Sequence, residues 1–404
     1  MKIGVTNAVL SNTGDAAIYE SIVDSLSRVV GSECRVVVFD SNAAVTQRLY
    51  PDWEIYQQVS VSPPREPARL RSGLQRIRHA LVRRLSAGRL LTRALGAPLL
   101  RRTRFARAFR ALESVDLLVS SGGTYLVDHY NFEARVLELR LAAALGKPVV
   151  LWTQSMGPFD SERARAQISR IAPTVDAVFF RDARSERAWN GAVPQRPPGA
   201  VVADSVFALE IPSRGGSSGR RAALSVREWS RGVDSGEYSM EQYESAMRAA
   251  ARRLEELGWS TTALSTCQGV PSYAYDDSEE AARIFASTAV EIDHDFHSPR
   301  ALLEELRGYD LVVTTRMHLA ILAMISRVPV IAIAYEFKTL ELFESLGLGH
   351  LVRRIEEVTP EWIADAVTRV VDAPQMALLS DGTIASLRES ARRPAKDVRA
   401  LVTG

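Results

Sequence analysis

The chain has 404 residues, enough for two or three domains of ordinary size. Hydrophobic residues make up 46% and charged residues 24%, as in globular proteins with substantial cores, and the formal net charge of +2 disfavours a protein that coats nucleic acid. The two cysteines, Cys34 and Cys267, lie far apart with no CxxC partner, which excludes a disulfide scaffold and a thiolate zinc site and indicates a reducing compartment.

Neither a signal peptide nor a membrane span is predicted. The first apolar run covers only residues 3–10 before polar residues follow, which is too short for a signal peptide. The longest apolar stretch, residues 319–335, is broken by Arg327 and Pro329, so it predicts a helix, a turn and a strand. We therefore predict a cytoplasmic protein.

The first half of the chain alternates short apolar runs with longer helical patterns, which predicts βαβ units on a parallel sheet. Helices are predicted at residues 15–30 and 132–145, and the second is closed by Gly146 and Pro148. The predicted strands cover residues 3–9, 35–39, 117–120, 149–152, 177–180 and 201–203.

Residues 211–220 read IPSRGGSSGR and predict a linker between two domains, because glycine, serine and proline dominate them. The same alternation of predicted strands and helices begins again after this linker. Strands are predicted at 222–226, 261–266, 311–314 and 330–334, and helices at 240–257, 317–325, 339–346 and from Thr359-Pro360 onward. We predict an α/β protein with two Rossmann-like domains, residues 1–210 and 221–404, that face a central cleft.

Residues 65–110 contain fourteen arginines and one acid, a net charge of +13. Apolar residues recur there at helical spacing: Leu70, Leu74, Ile77, Leu81 and Leu85. One interpretation is a basic amphipathic surface for anionic lipid head groups or a lipid-linked substrate, which would place the protein at the inner face of the membrane. The other is a solvated helix pair that packs on the first domain. Phe105 and Phe109 are the only aromatic residues interleaved, so nucleic acid is disfavoured.

Polar residues follow several predicted strands of the first domain, where ligands of open parallel sheets bind. Gly14 and Asp15 open the first helix, whose backbone N–H groups can hold an anion, although the dinucleotide pattern GxGxxG is absent. Gly122 and Gly123 permit close approach of the backbone to a ligand. Gln154 and Arg181 follow the next two strands.

In the second domain, Arg316 and His318 stand at the start of an apolar helix, where cations are unfavourable unless an anion binds. Lys338 ends the next strand. Together with Arg181 from the first domain, Arg316 and Lys338 would clamp a ligand that carries two anionic groups. A histidine that merely caps a turn is the alternative for His318.

These motifs resemble the polysaccharide pyruvyl transferase family. The chain shows, in the order of that family, NTGDAAIYESI, SSGG, TQSMGP, FFRDARS, ADSVFAL, TRMH and RVPVIAIAYEFK. The resemblance covers residues 2–348 and implies a glycosyltransferase-B-like fold. It also implies transfer of pyruvate from phosphoenolpyruvate onto a sugar as a cyclic ketal. Carried over by position, Arg316-Met317-His318 matches the family's Arg-x-His substrate site, and Arg181 matches its first-domain arginine.

The ligand chemistry agrees with that implication. Phosphoenolpyruvate carries a phosphate and a carboxylate, and ketal formation needs a general acid/base, for which His318 is the best candidate. Asp15, Asp182 or Glu336 would assist it. Cationic side chains can neutralise the leaving phosphate, so no metal or cofactor is expected. The predicted partners are phosphoenolpyruvate and a sugar acceptor, and His129 is expected to touch the acceptor.

Two other functions remain open. A nucleotide-sugar glycosyltransferase of the same architecture is disfavoured, because such enzymes carry a ribose-binding Glu where this chain has Leu322. The other alternative is a non-catalytic glycan-binding member of the family.

Two polar segments of the second domain are also notable. Residues 293–297, DHDFH, are interpreted as a polar loop, with a metal site as the alternative. Residues 276–280, DDSEE, are interpreted as the acidic start of a helix.

Overall fold

The computed structural model describes residues 1–31, 33–59, 97–102, 105–128, 133–193, 197–211, 219–229, 240–271, 273 and 275–403. The chain divides into two compact units. Unit 1 contains Met1–Leu10, Ile18–Ser205 and Ser390–Gly404, and unit 2 contains Ser11–Ala17 and Val206–Glu389.

This division differs from the predicted boundaries, 1–210 and 221–404, because a short piece of each predicted domain packs with the other unit. Ser11–Ala17 joins unit 2, and Ser390–Gly404 joins unit 1, where the Ser390 hydroxyl accepts a hydrogen bond from the Ala203 amide. Most of the predicted linker 211–220 lies outside the described residues.

Unit 1 is built on a parallel sheet. Its strands are β1 (Lys2–Ala8), β2 (Arg35–Asp40), β3 (Ile55–Gln57), β4 (Leu117–Ser120), β5 (Gly123–Leu126), β6 (Val149–Met156), β7 (Ala177–Phe180) and β8 (Gly199–Val201). Its helices are α1 (Thr13–Val30), which begins in unit 2, α2 (Ala43–Leu49), α3 (Ala97–Leu100), α4 (Ala106–Ser114), α5 (Glu133–Ala144), α6 (Glu162–Ile171) and α7 (Ala183–Ala192).

Within the described residues, the strand order of unit 1 is β3-β2-β1-β4-β6-β7-β8, with β5 paired to β6. The chain builds outward in one direction from β1 and in the other from β4, so the switch point of the sheet lies between these two strands. All eight residues of β6 are buried, as in a strand covered on both faces.

Unit 2 contains a second parallel sheet. Its strands are β9 (Arg221–Ser225), β10 (Ser260–Ala263), β11 (Glu291–Ile292), β12 (Leu311–Thr314), β13 (Val330–Ala334) and β14 (Val352–Arg354). Its helices are α8 (Met240–Glu256), α9 (Asp277–Ile284), α10 (Pro299–Leu306), α11 (Met317–Ile325), α12 (Phe337–Ser345), α13 (Pro360–Asp372) and α14 (Asp381–Thr403), which ends in unit 1.

The order of the described strands in unit 2 is β11-β10-β9-β12-β13-β14, so its switch point lies between β9 and β12. Two parallel sheets flanked by helices are two Rossmann-like domains, as predicted. The helix at residues 317–325 and the strand at 330–334 begin and end where the sequence predicted them, because an apolar run bounded by polar turn residues marks both.

Several elements differ from their predicted positions. Strand β5, Gly123–Leu126, which pairs with β6, was not predicted. Strand β8 precedes the predicted position by two residues, and the predicted strand at 261–266 ends at Ala263.

Most of the Arg-rich segment, residues 65–110, lies outside the described residues. Its contact with anionic lipid therefore stays a prediction. None of the described helices combines the length and the apolar character needed to cross a membrane.

A buried carboxyl group lies at the carboxyl edge of the unit 1 sheet. Glu138 of α5 is fully buried, and it accepts hydrogen bonds from the Thr6 hydroxyl and, at 2.6 Å, from the Val59 amide. Burial raises the pKa of the Glu138 carboxyl to about 7, although these hydrogen bonds oppose the rise. The folded protein thus holds a proton that the unfolded chain releases at lower pH.

Replacing Glu138 by Gln is expected to stabilise the protein above pH 7 by about 3 kcal/mol. Because the pKa is higher in the folded state, the Glu138 side chain favours folding below about pH 4.5 and loses this contribution as pH rises to about 7. The gain of the variant should therefore grow between pH 4.5 and 7 and vanish below that window. Urea unfolding at pH 4.5 and 8 measures it.

The matched control is Glu255→Gln, at an exposed position of α8. A gain from Glu138→Gln that is equal at both pH values would show that the carboxyl is not protonated in the fold.

Candidate functional site

The carboxyl ends of the strands in the unit 2 sheet bring together most of the residues predicted for the second domain. Arg316 follows β12, Lys338 follows β13, and Arg227 follows β9. These three strands are neighbours in the sheet, and the switch point lies between β9 and β12. Cations from adjacent strand ends therefore gather at the place where open α/β sheets bind ligands.

Arg316 is held in a bidentate ion pair with Asp277 of α9. Its Nε and Nη2 donate to the two carboxylate oxygens at 2.7 and 2.5 Å, and the side chains of Arg316 and Asp277 are only 12% and 3% exposed. Burial lowers the pKa of the Arg316 guanidinium, but the charge and hydrogen bonds of Asp277, together with the nearby Cys267 and Tyr335, raise it to a net value well above the usual one, so the group stays charged. The arrangement fixes a cation at the start of α11, and among the described residues its Nη1 donates to no protein group, so it can bind a ligand.

Two further hydrogen bonds hold Asp277 in place, one to its carboxylate and one from its backbone amide. The Ser265 hydroxyl donates to its Oδ2, and its backbone amide donates to the Cys267 carbonyl at 2.8 Å. The adjacent Asp276 caps α9 by accepting from the Ser278 amide. Residues 276–280 form the start of a helix, as predicted, and Asp277 in addition pairs with Arg316.

His318 lies on the first turn of α11, half-buried, against the backbone of Gly14. A methyl group added at Gly14 would lie 2.5 Å from His318 Nδ1 and 2.8 Å from its Cβ, so only glycine fits. The Thr13 amide donates to the Thr266 carbonyl at 2.8 Å, and the Thr13 hydroxyl donates to the His297 carbonyl at 2.6 Å. These bonds fix the start of α1 beside the imidazole.

Asp15, on the first turn of α1, contributes negative charge to the same region. Burial raises the pKa of the Cys267 thiol to about 12, Arg316 lowers it, and Asp15 raises it further. Asp15, Arg316 and Cys267 therefore lie within electrostatic range of one another. The structure brings the predicted Asp15, Gly14, Arg316 and His318 together, while Met317 is buried at the start of α11.

Tyr335 connects the remaining cations of unit 2. The Arg227 guanidinium carbon lies 3.8 Å from the centroid of its ring, and Lys338 Nζ lies 5.5 Å from it. Lys338 also pairs with Glu336 at 2.8 Å. Tyr335 further interacts electrostatically with Arg316, so one aromatic ring lies within range of three cationic side chains.

In unit 1, Arg181 is engaged by protein groups through all three nitrogens. Nε donates to Ser155 Oγ at 2.6 Å, Nη1 to Asp204 at 2.8 Å and Nη2 to Thr124 Oγ1 at 2.9 Å. Its side chain is 5% exposed. The structure thus places Arg181 where it orients Thr124 and Ser155, and its contact with a ligand stays a prediction.

The other predicted residues of unit 1 also pack against protein. A Cβ at Gly122 would lie 2.5 Å from Thr153 Oγ1, and Gly123 has a φ of +146° that favours glycine. The Gln154 amide donates to the Ser121 carbonyl at 2.6 Å. The close approach that these glycines permit is therefore to neighbouring protein. His129 lies outside the described residues.

The DHDFH segment uses its histidines in internal contacts. His297 Nε2 lies 2.7 Å from Asp293 Oδ2, and His294 Nδ1 lies 3.0 Å from Ser278 Oγ. Within the part of the chain that the structure describes, no group of three or more His, Cys, Asp or Glu side chains could hold a metal ion.

Sequence reasoning missed three residues that shape these sites: Asp277, Arg227 and Asp204. Asp277 resembles any acid in a first helical turn, and Arg227 is a single arginine after a strand. Asp204 had a signal, because it lies in the ADSVFAL motif that was noted without a role.

Comparisons with known proteins find similarity over nearly the whole chain. A protein from Erwinia amylovora, "Amylovoran biosynthesis protein AmsJ", is 26% identical over 398 residues and covers 91% of each chain. Among solved structures, S. aureus MnaA with UDP has a TM-score of 0.58 at 12% identity and covers 99% of this chain and 96% of its own. The UDP-GlcNAc 2-epimerase of Methanocaldococcus jannaschii has a TM-score of 0.56 at 10% identity and covers 100% of both. These likenesses confirm the glycosyltransferase-B-like fold.

The family model described as polysaccharide pyruvyl transferase matches residues 12–336. This range contains every predicted site residue except Lys338. The chain belongs to the polysaccharide pyruvyl transferase family.

Proposed function

We propose that this transferase moves the pyruvyl group of phosphoenolpyruvate onto two hydroxyls of one sugar, forming a cyclic ketal on a cell-surface polysaccharide or its lipid-linked precursor. Membership of the family and the relative from Erwinia amylovora, named for amylovoran biosynthesis, support a polysaccharide acceptor. The observation that carries the donor assignment is the buried, permanently charged Arg316 on the same helical turn as His318.

The donor needs two cationic contacts, since it carries a phosphate and a carboxylate. Arg316 offers Nη1 beside the first turn of α11, whose backbone N–H groups favour an anion. Lys338 supplies a second positive charge near the same aromatic ring. These groups also neutralise the phosphate as it leaves.

His318 would act as the general acid/base. It transfers a proton to the methylene carbon of the enol, and positive charge develops at the adjacent carbon, which the first sugar hydroxyl attacks. That hydroxyl returns a proton to His318. The second hydroxyl then displaces inorganic phosphate, which carries away its proton. One hydroxyl proton thus ends on the new methyl group and the other on phosphate, so atoms and charge balance.

Titration calorimetry with phosphoenolpyruvate, UDP and UDP-sugars tests the donor. We expect phosphoenolpyruvate to bind and Arg316→Ala to weaken binding at least ~100-fold, because charge-assisted hydrogen bonds in a buried site are lost. Arg283→Ala is the matched control, since Arg283 lies on α9 and pairs with Glu280 at an exposed position.

Binding of UDP with no response to phosphoenolpyruvate would instead make this chain a nucleotide-sugar glycosyltransferase. Binding of a glycan alone, with neither donor, would make it a non-catalytic member.

A further inference from the structure

Arg227 is a half-buried cation at the carboxyl ends of the strands in the unit 2 sheet. It belongs to none of the motifs identified in the sequence. It follows β9, the strand beside β12, so Arg227 and Arg316 flank the switch point of the sheet from opposite sides. Its guanidinium stacks on Tyr335 with 3.8 Å between the guanidinium carbon and the ring centroid. This contact orients the planar group while its edge stays available for hydrogen bonds.

The backbone that carries Arg227 is tied to the backbone that carries Arg316. The Arg227 amide donates to the Tyr243 hydroxyl at 3.3 Å, and that hydroxyl lies 3.4 Å from Thr315 Oγ1. The Thr315 amide in turn donates to the Ser225 carbonyl at 3.1 Å. Tyr243 is fully buried, so the two arginines have a fixed spacing across the switch point.

Arg227 differs from the neighbouring cations Arg316 and Lys338 in that it has no carboxylate partner among the described residues. Arg316 pairs with Asp277 and Lys338 pairs with Glu336, whereas no carboxylate of the described residues lies within ion-pair distance of Arg227. Its Nε donates to the Glu228 carbonyl at 3.2 Å, and within the described chain its two terminal nitrogens donate to no protein group. A half-buried guanidinium in this state is suited to an anionic ligand.

We propose that Arg227 binds the carboxylate of phosphoenolpyruvate through Nη1 and Nη2, while Arg316 and the start of α11 bind the phosphate. The inference rests on the proposed function and adds a donor-specificity residue to it. A planar carboxylate matches the end-on fork of Arg227, whose two terminal nitrogens point the same way. Arg316 uses its Nε and one N–H of Nη2 on Asp277, so its charge is fixed beside the backbone amides at the start of α11, a combination that suits a phosphate.

A comparison of two ligands tests this assignment. Vinyl phosphate has the enol phosphate of the donor but lacks its carboxylate. We expect Arg227→Ala to weaken phosphoenolpyruvate binding about 10- to 100-fold, the value of a lost bidentate charged contact, and vinyl phosphate binding less than ~3-fold. Arg316→Ala should weaken both ligands. Dissociation constants for vinyl phosphate come from its displacement of phosphoenolpyruvate in the wild type and from direct titration of the variants.

Two further variants guard against misfolding. Arg227→Lys keeps the positive charge but not the fork, so an intermediate loss for phosphoenolpyruvate alone is expected. Arg221→Ala is the matched control: Arg221 begins the same strand and stacks on Tyr309 at 4.8 Å, at the opposite edge of the sheet. It should leave the affinities for both ligands unchanged, and thermal melts verify that each variant is folded.

The outcomes separate this inference from the proposed function. Equal weakening of both ligands by the Arg227 variants, or no weakening of either, would overturn the carboxylate assignment while binding that depends on Arg316 leaves the proposed donor standing. A wild-type protein that fails to bind phosphoenolpyruvate overturns both.

Discussion

Replacing His318 by Gln is expected to lower ketal formation about 10³-fold while changing the dissociation constant for phosphoenolpyruvate less than ~3-fold. The variant keeps a polar side chain on α11 but cannot exchange a proton near neutral pH. Arg316 and the helix amides, which bind the donor, stay in place. Turnover is measured as the pyruvate that mild acid releases from the polysaccharide of a strain carrying each variant, and affinity by titration of the purified protein.

Gly14→Ala provides an independent check on the position of the imidazole. The added methyl group would lie 2.5 Å from His318 Nδ1, so the ring must move, and turnover should fall although no reacting group is removed. Gly191→Ala is the control, because nothing lies within 4 Å of a Cβ at that helical position.

For the His318→Gln variant itself, full turnover would exclude proton transfer by His318.

Asp277→Ala is expected to lower the free energy of unfolding by about 3–5 kcal/mol, because it leaves the buried Arg316 guanidinium without its counter-ion. The double variant Asp277→Ala with Arg316→Met should recover most of this loss, since an apolar side chain then fills the site without a buried charge. Urea unfolding at pH 7 measures both.

An exposed ion pair gives the control for Asp277. Glu304→Ala removes the partner of Arg307 on α10, where Glu304 is 53% exposed, and should cost about 0.5 kcal/mol or less. If the double variant is no more stable than Asp277→Ala, the carboxylate stabilises the loop through the Ser265 hydroxyl and not through Arg316.

The sequence predicted the sheet architecture and the position of Arg316 and His318 at the start of a helix, because both have local signatures. The apolar run of α11 is bounded by Arg316 and His318 on one side and by Arg327 and Pro329 on the other, so the strand, helix and site residues follow from pattern alone. Cations at a helix start are unfavourable by themselves, and that conflict pointed to a bound anion.

Residues whose roles depend on distant partners were not predictable. An acid in the first turn of a helix is favourable on its own, so the sequence of α9 gave no reason to pair Asp277 with a residue 39 positions away. Glu138 similarly lies in a helix among apolar residues, and its burial follows only from the packing of α5 on the sheet. The glycines 122 and 123 carried a real constraint, but the atoms that impose it are Thr153 and Tyr125.

Each unit contains a short segment from the other half of the chain, so the two units cannot be produced as separate contiguous fragments. Helices α1 and α14 each begin in unit 2 and end in unit 1, so no single cut of the polypeptide separates the units whole. A fragment starting at residue 206 would contain Arg316, Asp277 and Arg227 but lack Gly14 and Asp15. An amino-terminal fragment would lack Arg399, which donates to the Val29 carbonyl at 3.0 Å. Recombination that swaps halves between relatives must therefore also exchange residues 11–17 and 390–404 to keep each unit complete.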